Sequence, residues 1–172
     1  MINGYEVLEI KYPDFDQDSR TPNGIDLRLG TVYELKEDEC LYGLMNDGKN
    51  VPFHQPKPIQ QIGVHGGDIE GWVLLPNTPY ILEVQNDIQI SEDSMQTYYP
   101  RSTLLRSGCT LHTAVGDAGY HGKLAFLFIN HSNTPFVLEK GVRFAQLVDH
   151  QLEGASILYD GDYQDNKHKE KK

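Results

Sequence analysis

Apolar residues in this chain fall in short runs set apart by glycine, proline or charged positions, and few recur at the three-and-four spacing of an amphipathic helix. The longest, residues 123–130 (KLAFLFIN), is nearly continuous and predicts a strand running through the interior. Ile25, Leu27 and Leu29 alternate with Asp26 and Arg28, so a strand there buries the apolar set and places the two charges together on its other face. Residues 32–35 and 40–44 predict a hairpin across 36–39, and Asp47-Gly48 offers a second tight turn. Runs at 59–62, 71–75 and 80–84 predict further short strands, and Ile88 with Ile90 continues the series. Residues 136–139 and 142–148 flank a turn at Lys140-Gly141 and form a last hairpin, with Arg143 and Gln146 as its polar members. Residues 3–12 alternate loosely and predict an edge strand closed by Pro13, whereas 51–58 (VPFHQPKP) is too rich in proline for an interior strand and reads as a surface loop. Short strands at such intervals predict an all-β fold, a sandwich or a barrel.

One stretch departs from this scaffold pattern, residues 99–122 (YPRSTLLRSGCTLHTAVGDAGYHG). Pro100 restricts Tyr99 to extended geometry, so the chain enters on a strand and turns at Arg101 and Ser102. Ser102 is placed to cap a helical turn over residues 103–106, with Gly108 as its stop. Free N–H groups beside a guanidinium and a hydroxyl make a seat for phosphate. Further on, Gly116, Gly119 and Gly122 surround Asp117 and Tyr120, which lets the backbone bend and a ligand approach it closely. An aspartate on such a bend can position a water or a sugar hydroxyl, and a tyrosine can lie flat against a ring.

Composition narrows the chemistry. The 172 residues suffice for one domain with its own core, and a net charge of −10 argues against nonspecific nucleic-acid binding. Of the five arginines, Arg101 and Arg106 fall in the 99–122 stretch and Arg143 in the last hairpin, so a small anion can be met locally with a divalent cation supplying the remaining charge. Cys40 and Cys109 are isolated, which suggests neither a disulfide framework nor a zinc site. No basic leader and no membrane-length apolar run is present, so a soluble cytoplasmic protein is expected.

Four ordered motifs, PNGIDLRLG from Pro22, YPRSTLLRSG from Tyr99, TAVGDAGYHG from Thr113 and VRFAQLV from Val142, resemble those of the dUTPase and deoxycytidine triphosphate deaminase superfamily, and most of all the archaeal-type dUTPases. The resemblance implies a distorted, jelly-roll-like β-barrel in a homotrimer, with residues 1–150 as the barrel, 151–166 as an arm closing over the site and 167–172 as a disordered charged tail. It implies hydrolysis of dUTP to dUMP and pyrophosphate with Mg²⁺. Asp117 would hold the attacking water, Tyr120 would pack on the deoxyribose, and Arg101 and Ser102 would grip phosphate. Gln146 would lie near the substrate, and Arg106 would reach the site from a neighbouring subunit. Asp26 would hold the water shell of the magnesium ion, and Tyr163 and Gln164 would close over the nucleotide. In the deaminases of the superfamily a glutamate in the setting Gly-x-x-Gly-x-x-x-x-Glu moves protons on the cytosine ring, and counting from Gly119 and Gly122 that place is Leu127. An alkyl group cannot shuttle a proton, so hydrolysis is expected over the alternatives, a deaminase or bifunctional enzyme and a non-catalytic nucleotide-binding regulator. Two features depart from typical dUTPases. Gly116-Asp117-Ala118-Gly119-Tyr120 stands where Ile-Asp-x-Asp-Tyr is usual, and Tyr159, Tyr163 and Gln164 take the place of a glycine-rich C-terminal motif.

Overall fold

The chain begins with helix α1 (Tyr5–Lys11), a 3-10 turn (Gln17–Ser19) and the short strand β1 (Arg20–Thr21), which folds back on β2 (Gly24–Leu35). The computed structural model describes residues 1–35, 56–64, 69–161 and 163–169. Strands β3 (Pro56–Pro58), β4 (Ile62–Val64), β5 (Ile69–Leu74), β6 (Pro79–Gln89) and β7 (Ser94–Pro100) lead to the short helix α2 (Ser102–Arg106). Then come β8 (Cys109–His112), β9 (His121–Asn130), β10 (Phe136–Glu139) and β11 (Arg143–Gln151), and a 3-10 turn over Gln164–Lys169.

The main sheet runs β7-β11-β2-β6-β9-β8, antiparallel at each step, with β1 and β3 added along β2. Its two end strands return to one another. Gln96 of β7 exchanges N–H to C=O bonds of 2.9 Å with Gly116, just past β8, and the Thr113 hydroxyl donates to the Tyr98 carbonyl at 3.1 Å. The sheet is thereby curled into a nearly closed barrel, which removes most of the exposed edge. A smaller sheet, β10-β5-β4, carries Trp72, Leu74 and Leu138 into the same core. Inward residues alternate as expected: Ile25, Leu27 and Leu29 are buried, as are Leu124, Phe126 and Phe128 of β9.

Four expectations are corrected. Residues 25–29 and 32–35 form one continuous 12-residue strand rather than two, because the register shifts between Leu29 and Thr31 and the strand bends without breaking. Gly30 sits at that shift, where a Cβ would stand 2.9 Å from Gln85 Cα. Residues 5–11 wind as α1 instead of pairing at the sheet edge. Leu8 and Tyr12, four apart, pack on Ile25, while Val7 and Ile10, which strand alternation would not leave together, both face solvent. Within 51–58, Pro56–Pro58 is a strand, tolerated because it pairs with β2 at an edge. Ser102 does not cap α2. Arg101 is the N-cap, with extended backbone and no side-chain cap bond, and Ser102 is the first helical residue. The hairpin expected across 36–39 and the turn at Asp47-Gly48 lie outside the described residues. Among the described residues no helix is long and apolar enough to cross a membrane.

Candidate active site

Three adjacent strands bring the first group of side chains together. In the ladder of β7, β11 and β2, Gln146 stands opposite Tyr99 on one side and Asp26 on the other. Arg101 follows the end of β7, its N–H tied to the Phe144 carbonyl at 3.0 Å, and Arg143 begins β11. The two guanidinium groups converge on one oxygen of Asp26: Arg101 Nη1 lies 3.4 Å and Arg143 Nη1 3.6 Å from Oδ2. Asp26 is 4% exposed, whereas both arginine side chains are 36% exposed. Burial raises the pKa of Asp26, against the opposing pull of Arg101, Arg143 and Arg28. Arg28 itself turns to Asp16 at 3.0 Å and to the Gly141 carbonyl at 3.0 Å, so the two charges of this strand part company. Two cations sharing one anion leave a net positive, half-exposed pair, which suits an incoming phosphate. Gln146 donates to the Thr21 hydroxyl at 2.6 Å, while Ser102 and Arg106 lie exposed on α2.

The second group is built on the barrel seam. Gly116 has no space for a side chain, since a Cβ would stand 2.2 Å from the Tyr98 hydroxyl and 2.7 Å from Ile90 Cδ1. Beneath it, Tyr98 donates to Gln96 at 2.7 Å, Gln96 donates to the Tyr12 hydroxyl at 2.5 Å, and Tyr12 donates to fully buried Asp149 at 2.6 Å. This satisfied polar chain fixes the backbone from which Asp117 projects into solvent. The Tyr120 N–H closes a turn on the Asp117 carbonyl at 3.1 Å. Tyr120 is buried, its hydroxyl donating to the Lys123 carbonyl at 2.7 Å, and its pKa is pushed up to about 12, first by burial and then by Tyr159, Asp87 and Glu83. The ring meets Tyr159 edge-on at 5.4 Å. Gln164 bonds the Gly119 carbonyl at 3.0 Å and the His121 N–H at 3.1 Å, and the exposed Tyr163 gives its N–H to the Tyr159 hydroxyl at 3.4 Å.

Within one chain these groups stand apart. Asp117 lies one residue beyond the Gly116–Gln96 bridge, while Arg101 lies five residues from Gln96 in the opposite direction, so extended spacing separates them by about 20 Å. Among the described residues no hydrogen bond or ion pair joins Asp117 to Arg101 or Ser102. Nor does any group of three or more His, Cys, Asp or Glu among them form a metal cage. In the sequence Arg143 was legible as one of three arginines able to meet an anion and Tyr159 as part of the arm that replaces the glycine-rich motif, without a contact assigned to either, and Asn166 only as the end of the arm. Arg143 shares a motif with Gln146, and Asn166 follows Gln164 by one strand period, which are the signals that could have flagged them.

Comparison with known proteins gives a consistent result. The sequence pattern of the dCTP deaminase-like family matches residues 5–152. A protein of Methanopyrus kandleri named "Probable deoxyuridine 5'-triphosphate nucleotidohydrolase" is 40% identical over 163 residues, covering 95% of this chain and 99% of its own length. A Methanothermobacter thermautotrophicus protein of the same name is 36% identical over 96% of this chain and 100% of its own. Among solved structures, 2'-deoxycytidine 5'-triphosphate deaminase from Agrobacterium tumefaciens shares the fold with a TM-score of 0.63 at 20% identity, covering 86% of this chain and 46% of that one. This chain thus spans about half the length of that deaminase.

Proposed function

The chain belongs to the dCTP deaminase-like family, and from that membership we propose that it is a dUTP diphosphatase, hydrolysing dUTP to dUMP and pyrophosphate. The observation that carries the choice of reaction within the family is Leu127. It lies half-buried on β9 between Ile81 and His112, at the place where the deaminases resembled by this sequence hold their proton-moving glutamate. Without an acid there, ring deamination forfeits about 10² to 10⁴ in rate.

Asp117 accepts a proton from water, whose oxygen attacks the α-phosphorus while the bond to the bridging oxygen breaks and pyrophosphate leaves. Arg101 and Ser102 hold the phosphates, Arg143 adds a second guanidinium, and Gln146 lines the approach. Tyr120 packs on the sugar and leaves no space for a 2'-hydroxyl. Asp26 already faces two guanidinium groups, which fits a carboxylate that meets a metal through water rather than directly. Mg²⁺ bound with the triphosphate would supply charge compensation, and Asp26 would accept from its water shell. The separation of Asp117 from Arg101 along the seam supports a site completed between subunits, in a homotrimer in which Arg106 and Tyr163 of the arm also reach the nucleotide, while the Gln164 expected there is engaged by Gly119 and His121 of its own chain. A cytoplasmic location accords with the nucleotide substrate.

A second reading, deamination through another acid, draws on Glu83, a buried carboxylate that faces Ala125 across the β6–β9 ladder and accepts from the Tyr33 hydroxyl at 3.2 Å. Product analysis separates the two. With Mg²⁺ present, dUTP is expected to yield pyrophosphate and dCTP no ammonia. Asp117→Asn should lower kcat by about 10² to 10⁴ while nucleotide binding persists. Ammonia from dCTP would favour deamination, and a fully active Asp117→Asn protein would remove Asp117 from the role of base.

A further inference from the structure

β8 pairs with β9 only from Leu127 to Asn130, so among the described residues the start of β9 and the turn before it have no strand on that side, although β6 pairs with the opposite edge at His121 and Lys123. Residues two apart on a strand direct their backbone groups to the same edge. On this edge Gly119, His121 and Lys123 are met by side chains of the arm. Gln164 Nε2 donates to the Gly119 carbonyl at 3.0 Å and Oε1 accepts from the His121 N–H at 3.1 Å, while Asn166 Oδ1 accepts from the Lys123 N–H at 2.9 Å. Gln164 and Asn166 are themselves two apart, so their carboxamides match the period of the strand. The arm adds a backbone bond, Tyr159 N–H to the Ala118 carbonyl at 2.8 Å, and Leu158 closes over Gly119, where a Cβ would stand 3.2 Å from Leu158 Cβ. Asp165 and Asn166 adopt left-handed backbone (φ 53 and 59), uncommon without glycine but tolerated by these two residue types. His121 Nδ1 and Asp165 Oδ1 lie 2.9 Å apart.

These contacts converge on Tyr120. Tyr159 braces its ring, and its hydroxyl rests on the carbonyl of Lys123, the residue whose N–H Asn166 holds. We infer that Tyr159, Gln164 and Asn166 are positioning residues, a surrogate strand of side chains that completes the β9 edge and holds Tyr120 where it discriminates deoxyribose from ribose. The inference rests on the dUTP reading for the identity of the nucleotide, but the clamp itself does not.

The test uses the full chain, with hydrogen exchange read at the His121 and Lys123 amides and binding of dUMP and UMP measured by calorimetry. In Gln164→Leu both amides are expected to exchange about tenfold faster, the effect of losing one or two partly buried hydrogen bonds. The preference for dUMP over UMP is expected to fall several-fold in Gln164→Leu and Tyr159→Ala, and to survive in Tyr159→Phe, which keeps the ring. Gln164→Glu should resemble Gln164→Leu at Gly119, because a carboxylate has no donor for that carbonyl. Unchanged exchange in Gln164→Leu would overturn the clamp. Faster exchange with an unchanged dUMP preference, or a wild-type protein that binds UMP as tightly as dUMP, would overturn the positioning role. Hydrolysis of dUTP by the wild type is assayed separately, and its failure would remove the functional reading while leaving the exchange and binding results to decide the clamp.

Discussion

At Asp26, burial and two arginines act on one carboxyl in opposite directions. Alternation along 25–29 placed it opposite Ile25 and Leu27, on the face expected to be polar, yet it is 4% exposed because Arg101 and Arg143 arrive over it from β7 and β11. Neither arrival is encoded near residue 26. Burial outweighs the guanidinium groups and raises its pKa above the usual 3.8. The folded carboxyl therefore keeps its proton to higher pH than the unfolded one. Its contribution to stability is full below 3.8 and is lost as pH rises through the raised folded value. Wild type should accordingly lose stability relative to Asp26→Asn across that window, read from urea midpoints. A relative gain would mean that the arginines dominate. Gly116 and Asp117, by contrast, were legible as a glycine-bent aspartate, since glycine next to an acid marks a bend wherever it falls. The reason for Gly116, the Tyr98 hydroxyl packed against it, comes from a strand eighteen residues away.

At the scale of elements, β2 could be read from period-two alternation and β9 from its apolar run, whereas β3, β8 and α1 could not. Residues 3–12 fit a strand about as well as a helix, and the outcome was set by partners. Leu8 and Tyr12 find Ile25, and Asp149 accepts from Asn3 at 2.5 Å, Lys11 at 3.3 Å and Tyr12 at 2.6 Å, which a flat edge strand would not bring to one carboxylate. Tyr12 also links this cluster through Gln96 to Tyr98, so α1 supports the seam beneath Gly116. Leu8→Ala is expected to cost about 2–5 kcal/mol in urea unfolding, the usual range for truncating a buried leucine. A cost under about 0.5 kcal/mol would mean that α1 is not docked in solution. The arm shows the same dependence on partners. Its polar composition gave no sign that Gln164 and Asn166 would meet an open strand edge, because that edge exists only where β8 falls short.

For the whole molecule, the gap of about 20 Å between Asp117 and Arg101 along one chain makes the assembly testable by complementation. Asp117→Asn and Arg101→Ala should each be inactive alone. If each site takes Asp117 from one subunit and Arg101 from another, unfolding and refolding an equal mixture should restore about a quarter of wild-type sites, since random assembly leaves that share with both groups intact. No recovery in a mixture that reassembles would place both groups in one chain's site. Local spacing by itself determined the all-β class, the order of the motifs and the candidate residues Asp117, Tyr120, Arg101 and Ser102, because alternation, glycine bends and motif intervals are properties of neighbours along the chain. Tertiary structure alone decided that Asp26 is buried beneath two arginines, that residues 5–11 are helical, that the barrel closes at Gly116 and that the arm grips the open end of β9. Each of those depends on which remote segments come into contact, and intervals within a segment carry no record of that meeting.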